Sequence, residues 1–499
     1  MLFNTLTYAW FFIAVFVGAW LLAPWRRLRL GFLLVSSYVF YAGWTFVGWD
    51  KLCASHGVER AWLAFQSIKY VPLIFVGTSI DYWLGVALGK VRRPQLRKLL
   101  LVGTLLVNIG ILVFFKYWNW GADTFLWVAE HAFGVKLPDI TFRIELPIGI
   151  SFFCFMSLSY VIDVYRGTIS YCRSYLNYLT YISFFPHLVA GPIIRGRDLL
   201  PYLERTPTLT PAVAGEGLFL IACGLVKKVV IGDYLGLNLV DRIYADPSSF
   251  SAVEVMTGLY GYAVQVYCDF SGYSDIAIGS ALLLGYRFKI NFDAPYKSAS
   301  IAEFWRRWHV SLSTWLRDYV YFSLGGGRVG KVRKYANLFV TMLVCGIWHG
   351  AAWSFVAFGT VQGIGVLGTH FFWDLRGRKS VKHTGEASWP VRALCIFATF
   401  TFISLSFILF RSGSLELAWS VTRRLLSFTA YVPNLHRNVL LVILGGLLVQ
   451  WAPRRIYDRV RDGFIAAPAP AQALALFGVA WLLRQSASAE AVPFVYFQF

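Results

Sequence analysis

The chain has 499 residues, 57% of them hydrophobic and only 14% charged, with a mean hydropathy of +0.57. Soluble domains carry about 25% charged residues, so this composition excludes a soluble globular protein and points to an integral membrane protein. Lys and Arg outnumber Asp and Glu by 46 to 26, but the excess falls in short clusters between apolar runs, which reads as membrane-flanking cytoplasmic loops and excludes a nucleic-acid partner.

The run 7–23 is followed by Arg26, Arg27 and Arg29 and by no small-residue cleavage site, so it reads as an uncleaved span. Those bases place the following loop in the cytoplasm and the N-terminus outside. The run 31–49 returns to the outer side, and its exit loop 50–69 mixes charges of both signs. A third run, 70–89, ends at Lys90, Arg92, Arg93, Arg97 and Lys98, again inside by the same rule. The run 99–115 leads to an outer segment, 119–145, with the Gly, Pro and aromatic content of an interfacial element. A fifth run starts at Pro147 and ends near Arg166.

FFPHLVAGPIIRGRDLLPYL, residues 184–203, carries three prolines and two glycines. Helix breakers at membrane depth are tolerated where protein or a water-filled cavity satisfies the freed backbone groups, so a re-entrant or broken segment is expected. Further runs lie at 213–231, ending at Lys227 and Lys228 near an interface, and at 252–268, 389–411, 438–452 and 469–483. Arg454, Arg455, Arg459 and Arg461 put the loop before the last span inside and the C-terminus outside. Roughly ten to twelve membrane segments are expected, in an all-α polytopic chain. The seven cysteines are scattered singly, which suggests neither a disulfide framework nor a metal site.

The stretch 269–359 carries the chemistry. In CDFSGYSDIAIG, Asp269 and Asp275 interrupt an apolar region, where a carboxylate must be paired or face water. With Ser271, and with Asn291 of the NFDAPY turn, they are candidate supporting residues for the site. From Ala302 to Tyr321 there is no Pro or Gly, and Trp305, Trp308, Leu312 and Trp315 recur at helical spacing, which predicts one helix. His309 lies on an adjacent face. Arg306, Arg307 and Arg317 amid the tryptophans Trp308 and Trp315 suit the cytoplasmic interface, where guanidinium groups either meet the phosphates of an acyl-coenzyme donor or anchor lipid headgroups. LGGGRVGKV, 324–332, nearly matches a phosphate loop, but Val332 stands where magnesium ligation wants Ser or Thr and no strand precedes it, so it reads as a cytoplasmic loop. From Tyr335 to Trp373 thirty-nine residues contain no Asp, Glu, Lys or Arg, enough for two spans. His349 falls inside that run, beyond the midplane if the first span starts at the cytoplasmic side. Gly346 and Gly350 flank it and permit close approach of a backbone or a ligand.

DFSGYSDIAIG, EFWRRWHVSLSTWLRDYVY, LGGGR and CGIWHGAAWSF, with FFPHLVAGPIIR upstream and FVYFQF at the end, resemble the membrane-bound O-acyltransferase (MBOAT) family, and within it the bacterial alginate O-acetyltransferase branch. The motifs cover about 184–360. The pattern of spans extends the resemblance to a single transmembrane domain over 1–499, with a core at about 184–373, N-terminal spans at 7–166 and C-terminal spans at 389–483. His187 stands where the family pattern often has glutamine, and no role is assigned to it. The resemblance implies a ring of tilted helices with a cytoplasmic and an outer funnel meeting at His349. It implies a cytosolic acyl thioester such as acetyl-CoA as donor substrate, with no bound cofactor or metal. The acceptor is a hydroxyl of an outer-side polysaccharide such as alginate, reached through a periplasmic serine-hydrolase-like acetyltransferase partner. The setting is the bacterial inner membrane.

In the mechanism this suggests, neutral His349 takes the proton of the acceptor hydroxyl as it attacks the thioester carbonyl, and His309 orients the donor or stabilises the oxyanion. No cysteine sits in a recognisable nucleophile setting, so an acyl-enzyme is not expected. The alternatives are D-alanyl transfer to teichoic acid, peptidoglycan O-acetylation and, in another class, a polysaccharide or lipid transporter, which would not need the histidine pair.

Overall fold

The computed structural model describes residues 2–45, 56–138, 142–189, 191–377, 388–486 and 492–495. The first part of the loop expected at 50–69, most of the stretch 376–382, where Arg376, Arg378, Lys379 and Lys382 form a further basic cluster, and the last four residues of the C-terminal motif lie outside the described residues. Every described element is helical and no strand occurs among them, which matches the all-α membrane protein expected from composition. Among the described residues, four helices are long and apolar enough to cross a membrane: Val71–Lys90, the continuous run Pro94–Phe133, Trp353–Leu375 and Trp389–Ser412. A fifth is possible by the same criteria if Arg437–Trp451 and Arg454–Ala466, bent by 90°, act together. Apolar runs outnumber these helices because several of them are carried by shorter or interrupted pieces. The run 7–23 becomes Leu6–Leu21, and 213–231 passes from α-helix into the π-helical turn Val226–Asp233.

The chain divides into two compact units, Met1–Thr210 with Ser280–Phe288, and Pro211–Gly279 with Lys289–Phe499. In the first unit, two expectations are corrected. Arg29, placed in a cytoplasmic loop, is buried in the helix Arg26–Thr45, where its guanidinium donates to Ala19 O, Tyr286 Oη and Leu284 O at 2.7–3.0 Å. Residues 57–68, expected as loop, form a helix. The interfacial segment from 119 is helical to Phe133, where Gly134 closes the helix in the left-handed conformation. The stretch 184–203 is broken as expected, into Phe185–Leu188 and Gly196–Leu203, and most of its described residues are buried.

In the second unit the long helix Ala252–Leu283 packs against Pro211–Leu225 through glycines. A Cβ on Gly272 would lie 2.6 Å from Gly224 O, and one on Gly279 would lie 2.6 Å from Gly217 O. Such small-residue contacts let helix backbones touch where lipid offers no hydrophobic drive to associate. Lys227 and Lys228 are ion-paired to carboxylates, Lys227 to Asp275 and Lys228 to Asp233 and Asp269. The stretch 335–373, expected as two spans, forms the helical hairpin Lys331–His349 and Trp353–Leu375; of the two, the second is long and apolar enough to cross a membrane, and the first ends at His349 itself.

Candidate active site

The helix predicted over 302–321 is broken at its centre. Ile301–Arg307 ends at the extended residue Trp308, His309 adopts the left-handed conformation (φ 43°), and Val310–Leu316 starts a new helix that runs on as the π-helical turn Arg317–Tyr321. A left-handed histidine is uncommon and persists where its surroundings over-determine it. Those surroundings are the NFDAPY loop. Asp293 N donates to Arg307 O (2.9 Å), closing the first helix, and Val310 N donates to Asn291 O (2.8 Å), opening the second. Asn291 Oδ1 accepts from Ser311 N (3.2 Å) and Ser311 Oγ (2.9 Å), so a side chain eighteen residues upstream of His309 does the work of an N-cap. The NFDAPY turn is thus what bends the chain at the histidine.

The same Asn291 Oδ1 lies 3.1 Å from His309 Nδ1. Because Oδ1 accepts a backbone N–H, it is fixed as the amide oxygen, and the Nδ2 side donates to Ser274 Oγ at 3.2 Å. His309 Nδ1 must therefore carry the proton, which leaves Nε2 of the neutral ring as an acceptor. His309 is fully buried and Nε2 has no hydrogen-bond partner among the described residues. The ring meets Phe270 edge-on at 4.6 Å and lies 6.2 Å from the ring of Trp348.

Trp348 also lies 5.0 Å from the imidazole of His349, so one indole contacts both histidine rings. His349 is the last residue of its helix and is almost completely buried, with Phe410 at 5.1 Å and Phe358 at 6.0 Å. Its position rests on the hairpin, whose helices touch at glycines. A Cβ on Gly346 would lie 2.5 Å from both Gly359 Cα and Phe355 O. The close backbone approach expected at Gly346 is made, and Gly350 faces the ring of Phe355. One turn before His349, Cys345 Sγ lies 3.7 Å from His349 Nε2. Sequence reading passed over that thiol, although the four-residue spacing in CGIWH puts it on the histidine's face of the helix.

The other candidates divide. Asn291 touches His309 directly. Asp269 and Asp275 are tied to Lys228 and Lys227, and the buried Ser271 shares the helix between them. Arg307 is engaged by Glu303 (2.9 Å) and by Asp293 O (3.2 Å), which locks the loop to the first helix. Arg306 and Arg317 are exposed, the latter paired with Asp318 at 2.8 Å. Trp308 is buried, stacked on Phe304 with Phe292 edge-on and Phe407 tilted against it, and Trp315 is buried against Tyr319. His187 belongs to the first unit, where Phe184 and Phe288 enclose it.

Two buried imidazoles on one indole, in a chain that spans a membrane, make this a candidate site. Comparison with known proteins supplies the context. Residues 63–412 match the model of the MBOAT, membrane-bound O-acyltransferase family. A protein of Azotobacter vinelandii named "Probable alginate O-acetylase AlgI" is 38% identical over 433 residues, covering 86% of this chain and 78% of the relative. A protein of the same name in Pseudomonas putida is 35% identical over 527 residues, covering all of both chains. A "Peptidoglycan O-acetyltransferase" of Helicobacter pylori is 30% identical over 453 residues, covering 85% of this chain and 79% of the relative.

Proposed function

Because the chain belongs to the membrane-bound O-acyltransferase family and is an O-acyltransferase, we propose that it moves an acetyl group from a cytosolic thioester, acetyl-CoA, across the membrane to hydroxyls of an exopolysaccharide such as alginate. The observation that carries the reading is the contact of Trp348 with the rings of both His309 and His349. The identities to proteins named as alginate O-acetylases support that acceptor class.

His349 acts as the general base. Its neutral imidazole takes the proton of the acceptor hydroxyl while the oxygen attacks the thioester carbonyl, and collapse of the tetrahedral intermediate expels the thiolate, which recovers the proton. His309, held as the Nδ1–H tautomer, offers only an acceptor at Nε2. Donor orientation is therefore favoured over oxyanion stabilisation, which would require a proton there. Arg306 and Arg317, exposed beside the site helices, meet the phosphates of the donor. The protein sits in the bacterial inner membrane with both termini outside and hands the acetyl group to a periplasmic serine-hydrolase-like partner. Peptidoglycan acetylation is the second reading, favoured by the 30% identity to a relative of that name.

The test uses sealed membrane vesicles of both orientations, given radiolabelled acetyl-CoA. Transfer to polymer should occur when the donor is on the cytoplasmic face and not when it is on the other. Transfer that requires donor on the outer face would contradict the proposal. Label in peptidoglycan instead of exopolysaccharide would select the second reading.

A further inference from the structure

Of the last described residues, 492–495, Phe494 and Val495 lie far from His309 in sequence yet are buried beside its neighbours. The π-helical turn Val226–Asp233 brings residues five apart into register, so that Lys228 Nζ reaches Asp233 Oδ1 at 2.6 Å. The same ammonium, fully buried, takes Asp269 Oδ1 at 2.5 Å. Two carboxylates on one ammonium leave an excess of buried negative charge, which needs further donors. Val495 N donates to Asp269 Oδ2 at 2.9 Å, and Lys228 Nζ donates to Pro493 O at 3.4 Å. The backbone is thereby clamped on each side of Phe494. That ring is fully buried, stacked on Tyr273 at 4.8 Å and set against Phe270 at 5.2 Å. Phe270 in turn meets the imidazole of His309 at 4.6 Å with an interplanar angle of 85°.

We propose that the strap Pro493–Val495 is a positioning element for His309, acting through Phe494 on Phe270; the proposal rests on the reading of His309 as a residue of the transfer site. The hydrogen bond from Nδ1 to Asn291 fixes which nitrogen is protonated but leaves the ring able to tilt about that bond. The edge-on contact with Phe270 removes the tilt, and Phe494 keeps Phe270 from retreating along the long helix. Asp269 therefore serves the site indirectly, as the anchor of the strap.

The experiment measures acetyl transfer from acetyl-CoA in membranes of cells that make the polymer, using the full chain and scaling rates to inserted protein. Phe494→Ala should lower kcat about 10- to 100-fold, the range a displaced site group produces, with the donor KM unchanged, and Phe494→Tyr should restore the rate. Wild-type kcat in Phe494→Ala overturns the proposal. If that variant does not accumulate, Phe494→Leu keeps most of the volume without the ring, and wild-type kcat there overturns it equally. The double variant Phe494→Ala with His309→Ala should be no slower than His309→Ala alone; additive losses would show that Phe494 acts elsewhere. A His309→Ala variant with wild-type transfer would mean instead that the reading of His309 has failed. A slow His309→Ala beside a fast Phe494→Ala would fail the strap alone.

Discussion

Asn291 Oδ1 receives His309 Nδ1–H at 3.1 Å while also capping the helix that begins after the histidine. One amide oxygen thus sets the protonated nitrogen, the backbone break and the ring position together. Asn291→Ala should leave the donor KM in place and lower kcat about 5- to 150-fold, which corresponds to the ~1–3 kcal/mol of a buried group left without its partner. Steady-state kinetics in membranes at saturating donor would measure this, and an unchanged kcat would show that the histidine does not depend on it.

The arginines separate into two classes that a donor titration can distinguish. Arg306 and Arg317 are exposed, so replacing either by Gln should raise the apparent KM for acetyl-CoA more than it lowers kcat, because phosphate contacts are mostly uniform binding. Arg307 is tied to Glu303 and Asp293, so Arg307→Gln should chiefly reduce the amount of inserted protein. Equal donor KM values in all three variants would return Arg306 and Arg317 to the role of lipid-headgroup anchors.

The hairpin that carries His349 should be sensitive to a single methyl group. With only 2.5 Å between an added Cβ on Gly346 and Gly359 Cα or Phe355 O, Gly346→Ala forces two backbones apart. It should destabilise the protein by about 1–3 kcal/mol, the usual range for overpacking. A detergent melt of the purified variant would read this as a lowered Tm, and a wild-type Tm would mean that the hairpin opens freely.

Cys345 lies within 3.7 Å of His349 Nε2, which makes an acyl-enzyme the direct competitor of the one-step mechanism. Direct transfer predicts that Cys345→Ala keeps its rate within about threefold, since a general base works without a covalent intermediate. Loss of transfer together with a hydroxylamine-sensitive acyl label on the wild-type protein would establish the thiol as nucleophile.

Composition and apolar runs made the membrane class and the all-helical fold legible, because hydropathy over a span is a local property. The same local reading failed at His309. Residues 302–321 contain no helix breaker, and the break comes from a partner loop whose Asn291 amide cannot be paired with Ser311 from spacing alone. Charge rules also leave the partners of Arg29 and Lys228 unread. Each is a base flanking an apolar run, yet each is buried by acceptors distant in sequence: Leu284 O and Tyr286 for Arg29, Asp269 for Lys228. His349 stands out as a candidate because a titratable residue inside a long uncharged run is conspicuous. Its neighbour Cys345 does not, because a thiol in an apolar helix looks like packing.

Base catalysis by His349 is tested most directly by acetyl transfer in membranes carrying His349→Ala, measured together with the quantity and detergent stability of the inserted protein. The imidazole is the last side chain of its helix, so the hairpin should fold without it. Transfer should then fall by about 10²–10⁴-fold, the usual contribution of a general base, at a normal amount of stable protein. Full transfer with normal protein would contradict the assignment.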